Sequence, residues 1–346
     1  MIIVRTPLRV SFFGGGTDHP SWYRQGEPGA VLSTSIDKYI YIQLRRLPAV
    51  FDFNYRVVWN RVEQVRAVSD IQHPIVRTVL GAYAASEPHG FEVVYNADLP
   101  ARSGLGSSSA FTVAMLHATL GNMERLVSKP YLAREAIRIE QDLLREPVGS
   151  QDQVAAAHGG LNRIDFGADD SISVAPLAIS RARKNALQEQ LLMFFTGFTR
   201  EAAGVEKQKI ENFAQRRMEL HRMYQMVAEG AAILAEEKQD LSAFGRLLHE
   251  AWAAKRALTT AVSNSAIDDA YAAATQAGAL GGKLLGAGGG GFLLFMAPPE
   301  RHAAIRAALP GMPSVPLRFD EQGSAVVLYN PELSENYECA PAALQA

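Results

Sequence analysis

The fold that the sequence predicts contains both strands and helices, in separate stretches of the chain. Residues 2–13 alternate apolar and polar side chains, which is the period of a strand with one buried face. Further β-branched and aromatic runs predict that the first hundred residues are mostly sheet. From Ser107 onward the apolar residues recur at the spacing of a helix, so helices dominate the middle of the chain.

The predicted elements follow one another in a simple order. Strand-like runs occupy four segments of the first hundred residues: 2–13, 30–47, 53–60 and 90–100. A helix begins near Ser107, and a second covers 129–146 because Pro147 stops it. A short helix then ends at Gly159 and Gly160. The remaining predictions are a buried strand at 191–200, alanine-rich helices to about residue 279, and strands at 292–296, near 315–319 and near 324–329.

Composition restricts the class of protein. The chain has 346 residues, of which 48% are hydrophobic and 20% charged, so two ordinary domains can each bury a core. A formal net charge of −2 gives no electrostatic reason to expect nucleic acid or an acidic membrane as partner. A single cysteine, Cys339, excludes an internal disulfide and a cysteine metal cluster. Because no apolar run reaches the length of a signal-peptide core or a membrane span, we expect a soluble cytoplasmic protein.

The segment PARSGLGSSSAF, residues 100–111, places glycines and three serines at the entrance of a predicted helix. A helix N-terminus has unpaired N–H groups and the positive end of the helix dipole, and both suit phosphate oxygens. The alternative is that Ser107 to Ser109 only cap a core helix. Gly104 and Gly106 make that alternative less favourable, because glycines let the backbone approach a ligand. A Walker A loop is excluded, since the sequence contains no G-x-x-x-x-G-K-[ST].

Residues 286–291, GAGGGG, satisfy the dinucleotide pattern G-x-G-x-x-G in letters only. A dinucleotide fingerprint follows a strand and opens a helix, whereas here a helical stretch precedes the glycines and a strand follows them. A tight turn needs fewer glycines than this segment has. We therefore favour a close approach of the backbone to a ligand over a simple turn.

Two carboxylates and two histidines are further candidates for catalytic or metal-binding side chains. Glu140 lies in a predicted helix, where most glutamates are solvated and pair with a neighbour. Asp152 lies at the start of a short helix, where first-turn acids are common. Neither position alone indicates a site. His19 and His158 have no partner at metal-ligand spacing, and the serines have no hydrolase setting, so zinc chemistry and a catalytic triad lack support.

Three segments together resemble the motifs of a kinase family. They are TPLRVSFFGGGTDH (6–19), PARSGLGSSSAF (100–111) and KLLGAGGGGFLLF (283–295). In content, order and spacing they are similar to the motifs of the small-molecule kinases named after galactokinase, homoserine kinase, mevalonate kinase and phosphomevalonate kinase, the GHMP kinases. The resemblance spans the chain. It implies an α+β fold of two domains with the active site between them, here an ATP-binding domain at 1–185 and a C-terminal domain at 186–346.

The resemblance also implies a role for each matched residue. Asp152 and Arg9 would be catalytic, with Asp152 accepting a proton from the substrate hydroxyl or orienting it, and Arg9 near the transferred phosphoryl group. Ser108 and Glu140 would hold Mg²⁺, a hard cation that takes oxygen ligands. The loop around the ATP phosphates would be formed by Gly104, Leu105, Gly106, Ser107, Ser108 and Ser109. Substrate contacts would come from Gly15, Gly16, Thr17, Asp18, Gly288 and Gly289, with Asp18 on the sugar hydroxyls.

Within the family, the segments GGGTD and IDKYIY (36–41) most resemble the bacterial D-glycero-D-manno-heptose 7-phosphate kinases. This resemblance implies an ATP- and Mg²⁺-dependent kinase that converts the sugar phosphate to its 1,7-bisphosphate, for nucleotide-activated heptose and surface polysaccharide. The sequence leaves the oligomeric state open, a homo-oligomer included. The alternatives are a fucose-type or mevalonate-pathway kinase and a non-catalytic sugar sensor on the same fold. The presence of Asp152, Glu140 and Ser108 argues against the sensor.

The distal phosphate of such a substrate requires a basic partner, because a remote dianion can supply binding energy that positions the reacting atoms. Arginine suits phosphate because it binds in a bidentate manner. Arg200 in TGFTREAA is our leading candidate, with Arg24 and Lys38 behind it. No spacing rule ties Arg200 to the three motifs, so an ordinary surface arginine is the alternative.

Overall fold

Two β-sheets and the helices packed on them form the described part of the chain, residues 1–48, 50–198 and 202–330 of this computed structural model. In these ranges the larger sheet has nine strands: β1 (Ile2–Phe13), β2 (Gly29–Leu47), β3 (Tyr55–Val58), β4 (Val62–Val65), β5 (Gly90–Ala97), β6 (Leu161–Phe166), β7 (Ile172–Pro176), β12 (Phe319–Asp320) and β13 (Ala325–Tyr329). The smaller sheet has four: β8 (Leu191–Phe195), β9 (Gly281–Leu284), β10 (Phe292–Met296) and β11 (Ser314–Val315).

The helices lie between and around the sheets. Over the same described ranges they are α1 (Pro20–Tyr23), α2 (Pro74–Tyr83), α3 (Ser107–Asn122), α4 (Lys129–Arg138), α5 (Gln151–His158), α6 (Arg181–Glu189), α7 (Ala202–Asn212), α8 (Arg217–Ala235), α9 (Ser242–Leu258), α10 (Ser265–Gln276) and α11 (His302–Ala308). Helix α4 continues as a π-helical turn at Ile139–Leu143. Short 3₁₀ turns occupy Val68–Asp70, Thr260–Val262 and Pro299–Arg301. No helix in the described ranges is long and apolar enough to cross a membrane.

Strand β2 organises the larger sheet because it is long enough to pair with several others. On one edge of β2, strands β6, β12 and β5 pair with successive parts, while β1 pairs with β2 from Leu32 to Leu44. All of these pairings are antiparallel, and the parallel contact of the sheet is that of β3 with β5. In the smaller sheet the order is β11-β8-β10-β9. The third glycine motif is therefore the connection between two paired strands, β9 and β10.

The core around β1 joins the two parts of the molecule. Helix α3 packs against β1 and β2, and almost all of its side chains are buried. Phe244 of α9 contacts Phe12 and Phe13 edge-on, with ring centroids 5.3 and 5.0 Å apart. Helix α9 also packs against β9 of the smaller sheet. The same helix thus links β1 to the strand that leads into the third glycine motif.

The structure confirms the α+β fold class and the main elements. The strand at 2–13 and the start of a helix at Ser107 agree with the prediction. Helix α5 ends before Gly159, whose φ of 68° lies in the left-handed region that favours glycine. The domain boundary at residue 185 stays a prediction. Beyond it the chain returns to the larger sheet, since β12 pairs with β2 and β13 pairs with β1.

Two elements differ from the sequence prediction. Helix α2 interrupts the strand-rich first hundred residues, beginning at Pro74 after His73, whose Nδ1 accepts from the N–H of Val76. The helix predicted over 129–146 is α-helical only to Arg138, and the π-helical turn follows. Such a turn breaks the 3.6-residue period and is frequent at functional sites. Glu140 lies within it and is buried.

Candidate active site

A cleft of about 480 Å³ lies where the three motifs meet. Its walls include Arg9 and Asp18 from the first motif, Gly106 and Ser108 from the second, and Gly288 from the third. Glu140 and Asp152 also line it. A volume of this order suits a small-molecule site. The structure therefore brings together residues that the sequence places in widely separated segments.

The loop before α3 has the geometry of a phosphate site. Gly104 and Gly106 have φ angles of 82° and 75°, which glycine adopts without strain. The N–H of Ala110 bonds to the carbonyl of Gly106, so the preceding N–H groups have no acceptor within the helix. They point out of a sixteen-residue helix whose dipole is positive at this end. An anion is therefore favoured at the mouth of α3.

The third glycine motif packs directly against this loop. A Cβ placed on Gly104 would meet the carbonyl oxygen of Leu285 at 2.5 Å, and one on Gly286 would meet the Cα of Gly104 at 2.4 Å. A Cβ on Gly291 would meet the oxygen of Ser103 at 2.2 Å. These positions have no room for any side chain. The glycines of the third motif thus allow one backbone to lie on another.

Arg9 and Asp152 form a bidentate ion pair inside the cleft. Nε and Nη2 of Arg9 each lie 2.7 Å from a different carboxylate oxygen of Asp152. The side chain of Arg9 is 6% exposed and that of Asp152 is 23% exposed, so the pair is shielded but reachable from the cleft. Nη1 of Arg9 also donates to the carbonyl of Gly104 at 2.7 Å. One guanidinium therefore fixes both the predicted catalytic carboxylate and the phosphate loop.

Asp18 is buried beside this pair and is held by backbone groups. Its Oδ1 accepts from the N–H of Gly16 at 2.8 Å, and its Oδ2 accepts from the N–H of Gln151 at 3.3 Å. Burial raises the pKa of Asp18, and the negative charges of Asp152 and Glu206 act in the same direction. A Cβ on Gly149 would lie 2.0 Å from Oδ2 of Asp18. The glycine at this position is thus required for the observed place of the carboxylate.

Some predicted site residues do not line the cleft. Thr17 is fully buried, and its hydroxyl donates to the carbonyls of Gly14 and Ala30. Leu105 is also buried in the core and contributes its carbonyl to the N–H of Arg9. The N–H of Gly289 bonds to a carbonyl of the neighbouring 3₁₀ turn. Their observed contacts shape the backbone around the cleft. Arg24 and Lys38, the secondary candidates for a distal phosphate, also lie outside the lining and pair with Asp170 and Asp37 instead. The other predicted positions within the described residues, Gly15, Gly16, Ser107 and Ser109 among them, do line the cleft.

Glu140 has the surroundings of a metal-binding carboxylate. It accepts hydrogen bonds from Thr112 Oγ1 at 2.6 Å, from Ser109 Oγ at 2.8 Å and from Gln153 Nε2. Burial raises the pKa of Glu140 to about 7. Of the three loop serines, Ser109 bonds to Glu140, whereas Ser108, the other predicted Mg²⁺ ligand, is exposed at the cleft.

The donor set fits Mg²⁺ rather than a metal held by the protein alone. The described residues contain no group of three or more His, Cys, Asp or Glu side chains that could hold a metal ion. Glu140 and Ser108 offer hard oxygen atoms at one edge of the phosphate loop. Mg²⁺ commonly takes one or two carboxylates and completes its shell with water and substrate phosphates.

An aromatic group next to the phosphate loop was not predicted from the sequence. His73 stacks on Phe111 with ring centroids 4.5 Å apart, and Trp59 meets His73 edge-on at 4.8 Å. Tyr95 meets Phe111 at 5.2 Å. Burial lowers the pKa of His73 to about 4, so its ring is neutral at physiological pH. These four side chains line one end of the cleft and offer flat apolar faces to a ligand.

Three lysines line the cleft and were also missed. They are Lys209 of α7, Lys255 of α9 and Lys283 of β9. For Lys255 a signal existed, since it shares the apolar stripe of α9 with Leu248 and Trp252 at helical spacing. A charged residue on the buried face of a helix is unusual and could have been singled out. Arg200, the predicted partner of a distal phosphate, lies outside the described residues.

Two segments of the chain match two family descriptions. Residues 73–160 match the GHMP kinases N terminal domain, and residues 231–312 match the GHMP kinases C terminal. The chain belongs to the GHMP kinase family. GHMP kinases are ATP-dependent, and the loop at the start of α3 lies in the N-terminal match.

Individual relatives indicate which members of the family this chain is similar to. This GHMP kinase is 29% identical over 318 residues to the D-glycero-alpha-D-manno-heptose 7-phosphate kinase of Campylobacter jejuni, covering 89% of this chain and 93% of that protein. It is 26% identical to the bifunctional fucokinase/GDP-fucose pyrophosphorylase of Arabidopsis thaliana, covering 87% of this chain and 30% of that protein. Its fold matches a D-glycero-D-manno-heptose 1-phosphate kinase from Bacteroides thetaiotaomicron with a TM-score of 0.78 at 24% identity, over 95% of this chain and all of that one. The comparisons support a sugar kinase of the GHMP type.

Proposed function

We propose that this GHMP kinase transfers the γ-phosphoryl group of ATP to the anomeric hydroxyl of D-glycero-D-manno-heptose 7-phosphate, giving the 1,7-bisphosphate and ADP. The observation that carries the proposal is a wall of unsatisfied polar atoms beside the Arg9–Asp152 pair. Ser11 Oγ and His19 Nε2 are buried at this wall and have no hydrogen-bond partner among the described residues. Buried polar atoms are normally paired, so these are suited to the hydroxyls of a sugar. The similarity to the Campylobacter heptose 7-phosphate kinase supports the choice of sugar.

The nucleotide would bind across the mouth of α3. Its phosphates would accept hydrogen bonds from the N–H groups that precede Ala110, and the dipole of α3 favours their negative charge. The neutral ring of His73 with Trp59 and Tyr95 provides a stacking surface for the base. Ser108 and Glu140 would hold Mg²⁺, which supplies positive charge to the phosphate oxygens when it is bound.

Asp152 and Arg9 would act on the reacting groups. The anomeric hydroxyl gives its proton to a carboxylate oxygen of Asp152 as the sugar oxygen forms a bond to the γ-phosphorus and the bond to ADP breaks. An anomeric hydroxyl is more acidic than an ordinary alcohol, so a modest base is sufficient. Because phosphoryl transfer has a loose transition state, orientation and positive charge matter most. The bidentate pair supplies both, since it fixes the carboxylate and places a guanidinium beside it.

A coupled assay of ADP release across a panel of sugars and sugar phosphates tests the proposal. We expect the highest kcat/KM for D-glycero-D-manno-heptose 7-phosphate, with the product identified as the 1,7-bisphosphate by NMR. A second candidate is a fucose-type kinase, which the 26% identity to the Arabidopsis fucokinase favours. Faster turnover of L-fucose than of any sugar phosphate would replace the proposal by this candidate, and ATP binding without turnover of any sugar would favour a sensor.

A further inference from the structure

Three lysine side chains form a basic wall of the cleft, which we call the lysine wall: Lys209, Lys255 and Lys283. Each of these residues is at most 5% exposed. They come from three different elements, α7, α9 and β9, so their convergence is a property of the folded chain. Three ammonium groups in one buried surface require an explanation, because burying charge without compensation is costly.

The contacts of the lysine wall leave most of its charge uncompensated. Lys209 pairs with Glu206 at 2.6 Å. Lys255 donates to the carbonyls of Leu284 at 2.7 Å and Gly286 at 2.5 Å. Lys283 donates to a carbonyl of β1 at 2.8 Å. Within the described residues neither Lys255 nor Lys283 has an ion pair with a carboxylate.

In their protonated forms, Lys209 and Lys283 both disfavour the charge of Lys255, and Lys209 also disfavours the charge of Lys283. Burial lowers the pKa of Lys283 to about 7, and the neighbouring charges of Arg9 and Lys209 act in the same direction. Burial also lowers the pKa of Lys255 strongly, with Lys283 and Lys209 as the next causes. A bound dianion would reverse these effects by favouring the charged form of each ammonium group. Each ammonium has three N–H donors, and the observed contacts use one or two of them.

The position of the lysine wall points to the sugar rather than to the nucleotide. The carboxylate of Asp18 acts to raise the pKa of Lys283, so the two side chains are neighbours. Near His19, the charge of Glu206 acts to raise the pKa of the imidazole and that of Lys209 acts to lower it. His19 belongs with Ser11 to the wall proposed for the sugar hydroxyls, and the resemblance to the family assigns Asp18 to the same hydroxyls. The aromatic group proposed for the base involves none of the three lysines. Lys209 and Lys283 bond to Glu206 and to β1, and only Lys255 of the three lies next to the loop before α3, through its bond to the carbonyl of Gly286, which packs on Gly104.

We propose that Lys209, Lys255 and Lys283 together bind the distal phosphate of the sugar phosphate substrate. This inference rests on the proposed function and adds the residues that would make it selective for a phosphorylated sugar. Lysine is a compact point charge that binds phosphate well, and three of them surround a dianion from different directions. The energy of these contacts would hold the far end of the sugar and so align its anomeric hydroxyl with Asp152.

The test compares two substrates in matched variants. The kcat/KM is measured for D-glycero-D-manno-heptose 7-phosphate and for the unphosphorylated heptose in the wild type and in Lys209→Met, Lys255→Met and Lys283→Met. We expect each variant to reduce the preference for the phosphorylated sugar by roughly 100-fold, because removing one member of a buried charge pair leaves the other unpaired. The unphosphorylated sugar should be affected much less. Arg200→Ala, measured in parallel, tests the competing candidate.

Lys129→Met is the matched control. Its ammonium also donates to two backbone carbonyls, those of His158 at 2.8 Å and Gln322 at 2.7 Å, but it lies outside the cleft. We expect this variant to keep the wild-type preference. If Lys255→Met or Lys283→Met fails to fold, as judged by thermal unfolding, Lys209→Met against Lys209→Arg carries the test, and the arginine variant should retain much of the preference.

The outcomes separate this inference from the proposed function. Equal losses of kcat/KM for both sugars would overturn the inference, because the lysines would then act on the transferred phosphoryl group or stabilise the fold. Loss of the preference for the phosphorylated sugar in Arg200→Ala, with that preference unchanged in all three lysine variants, would also overturn the inference. A wild-type enzyme that prefers the phosphorylated sugar while the lysine variants keep that preference overturns this inference alone. A wild-type enzyme that rejects phosphorylated sugars overturns both proposals.

Discussion

Arg9 holds Asp152 through two parallel hydrogen bonds of 2.7 Å, although 143 positions separate the two residues in the chain. The third nitrogen of the same guanidinium, Nη1, is bonded to the carbonyl of Gly104 in the phosphate loop. The planar guanidinium of arginine has donors in fixed directions and can make these three bonds at once, whereas the compact ammonium group of lysine cannot bind a carboxylate in this bidentate manner. The position of the carboxylate is therefore tied to the position of the loop that would hold the nucleotide.

Replacing Asp152 by Asn should reduce kcat by roughly 100-fold or more, because the amide cannot accept the proton and no longer pairs with Arg9 as an anion. The affinity for nucleotide should change little, since the loop at the start of α3 is unaltered. Single-turnover kinetics and the binding of a fluorescent ATP analogue measure the two effects.

Asp165→Asn serves as the control for Asp152, because Asp165 forms a similar pair with Arg163 on the surface. That variant should keep full activity. Near-full activity of Asp152→Asn would eliminate the role of Asp152 as base and weaken its role in orienting the hydroxyl.

Glu140→Gln should reduce kcat by roughly 100-fold while the chain remains folded, because the charge stabilisation that a metal ion supplies is worth several kcal/mol. The Mg²⁺ concentration that gives half-maximal rate should rise in the same variant. Glu135→Gln, four residues before the π-helical turn and paired with Arg138 at the surface, should leave both quantities unchanged. Normal turnover of Glu140→Gln at ordinary Mg²⁺ concentrations would show that this carboxylate is not a ligand.

The stability of the ligand-free protein should depend on pH through Glu140. Burial raises its pKa from 4.5 to about 7, so in this window the folded protein keeps a proton that the unfolded chain has released. The free energy of unfolding therefore falls as pH rises through the window, by at most about 3 kcal/mol from this group. Urea denaturation at about pH 5 and about pH 8 measures the fall.

Glu140→Gln provides the comparison for this pH effect. It lacks the titrating group but shares every other one, so the difference between the two proteins isolates Glu140. We expect the fall in stability to be smaller in the variant. An identical pH dependence in both would contradict the raised pKa.

Gly149→Ala should impair sugar binding without affecting nucleotide binding. The added methyl group would lie 2.0 Å from Oδ2 of Asp18, so the carboxylate must move away from its two backbone donors. We expect kcat/KM for the sugar to fall by about tenfold or more, as for the misplacement of a positioning group. Gly311→Ala is the control, because nothing lies within 4 Å of its added Cβ. Unchanged kinetics in Gly149→Ala would argue against contact between Asp18 and the sugar.

His73→Ala should raise the KM for ATP by about tenfold, because a stacked base contributes roughly 1–3 kcal/mol. The KM for the sugar should remain near its wild-type value. His89→Ala removes a histidine outside the cleft and should have no effect on either constant. If His73→Ala instead raises the KM for the sugar, the base does not bind at the aromatic group.

The parts of the site that the sequence predicts are residues whose type is required by the local backbone conformation. Gly104 and Gly106 are identifiable because a left-handed backbone before a helix demands glycine. Arg9 shares the polar face of a predicted strand with Arg5 and Ser11, so its role was implied only by the resemblance to the family. The contact between Arg9 and Asp152 joins residues that are far apart in the chain, so no periodic pattern in the sequence predicts it. It was implied only by the resemblance of three motifs to a family.

The parts that were missed depend on tertiary structure in other ways. The π-helical turn that carries Glu140 departs from the 3.6-residue period, so a periodic pattern assigns it to a regular helix. The aromatic group draws Trp59, His73 and Phe111 from three separate segments, and each alone resembles an ordinary core residue. Thr17 was expected at the substrate because it adjoins Asp18, but its hydroxyl is used by the backbone.

The loop predicted to bind phosphate in this chain is not a portable module. The loop at 100–111 takes its shape against the carbonyl of Leu285 and the backbone of Gly286, which belong to the opposite half of the sequence. A scaffold that received this loop alone would lack the surface that holds Gly104 in place, so a successful graft must also carry the segment 283–291. For the same reason, natural variation in the two segments should be restricted jointly, as it is for the two sides of a protein–protein interface.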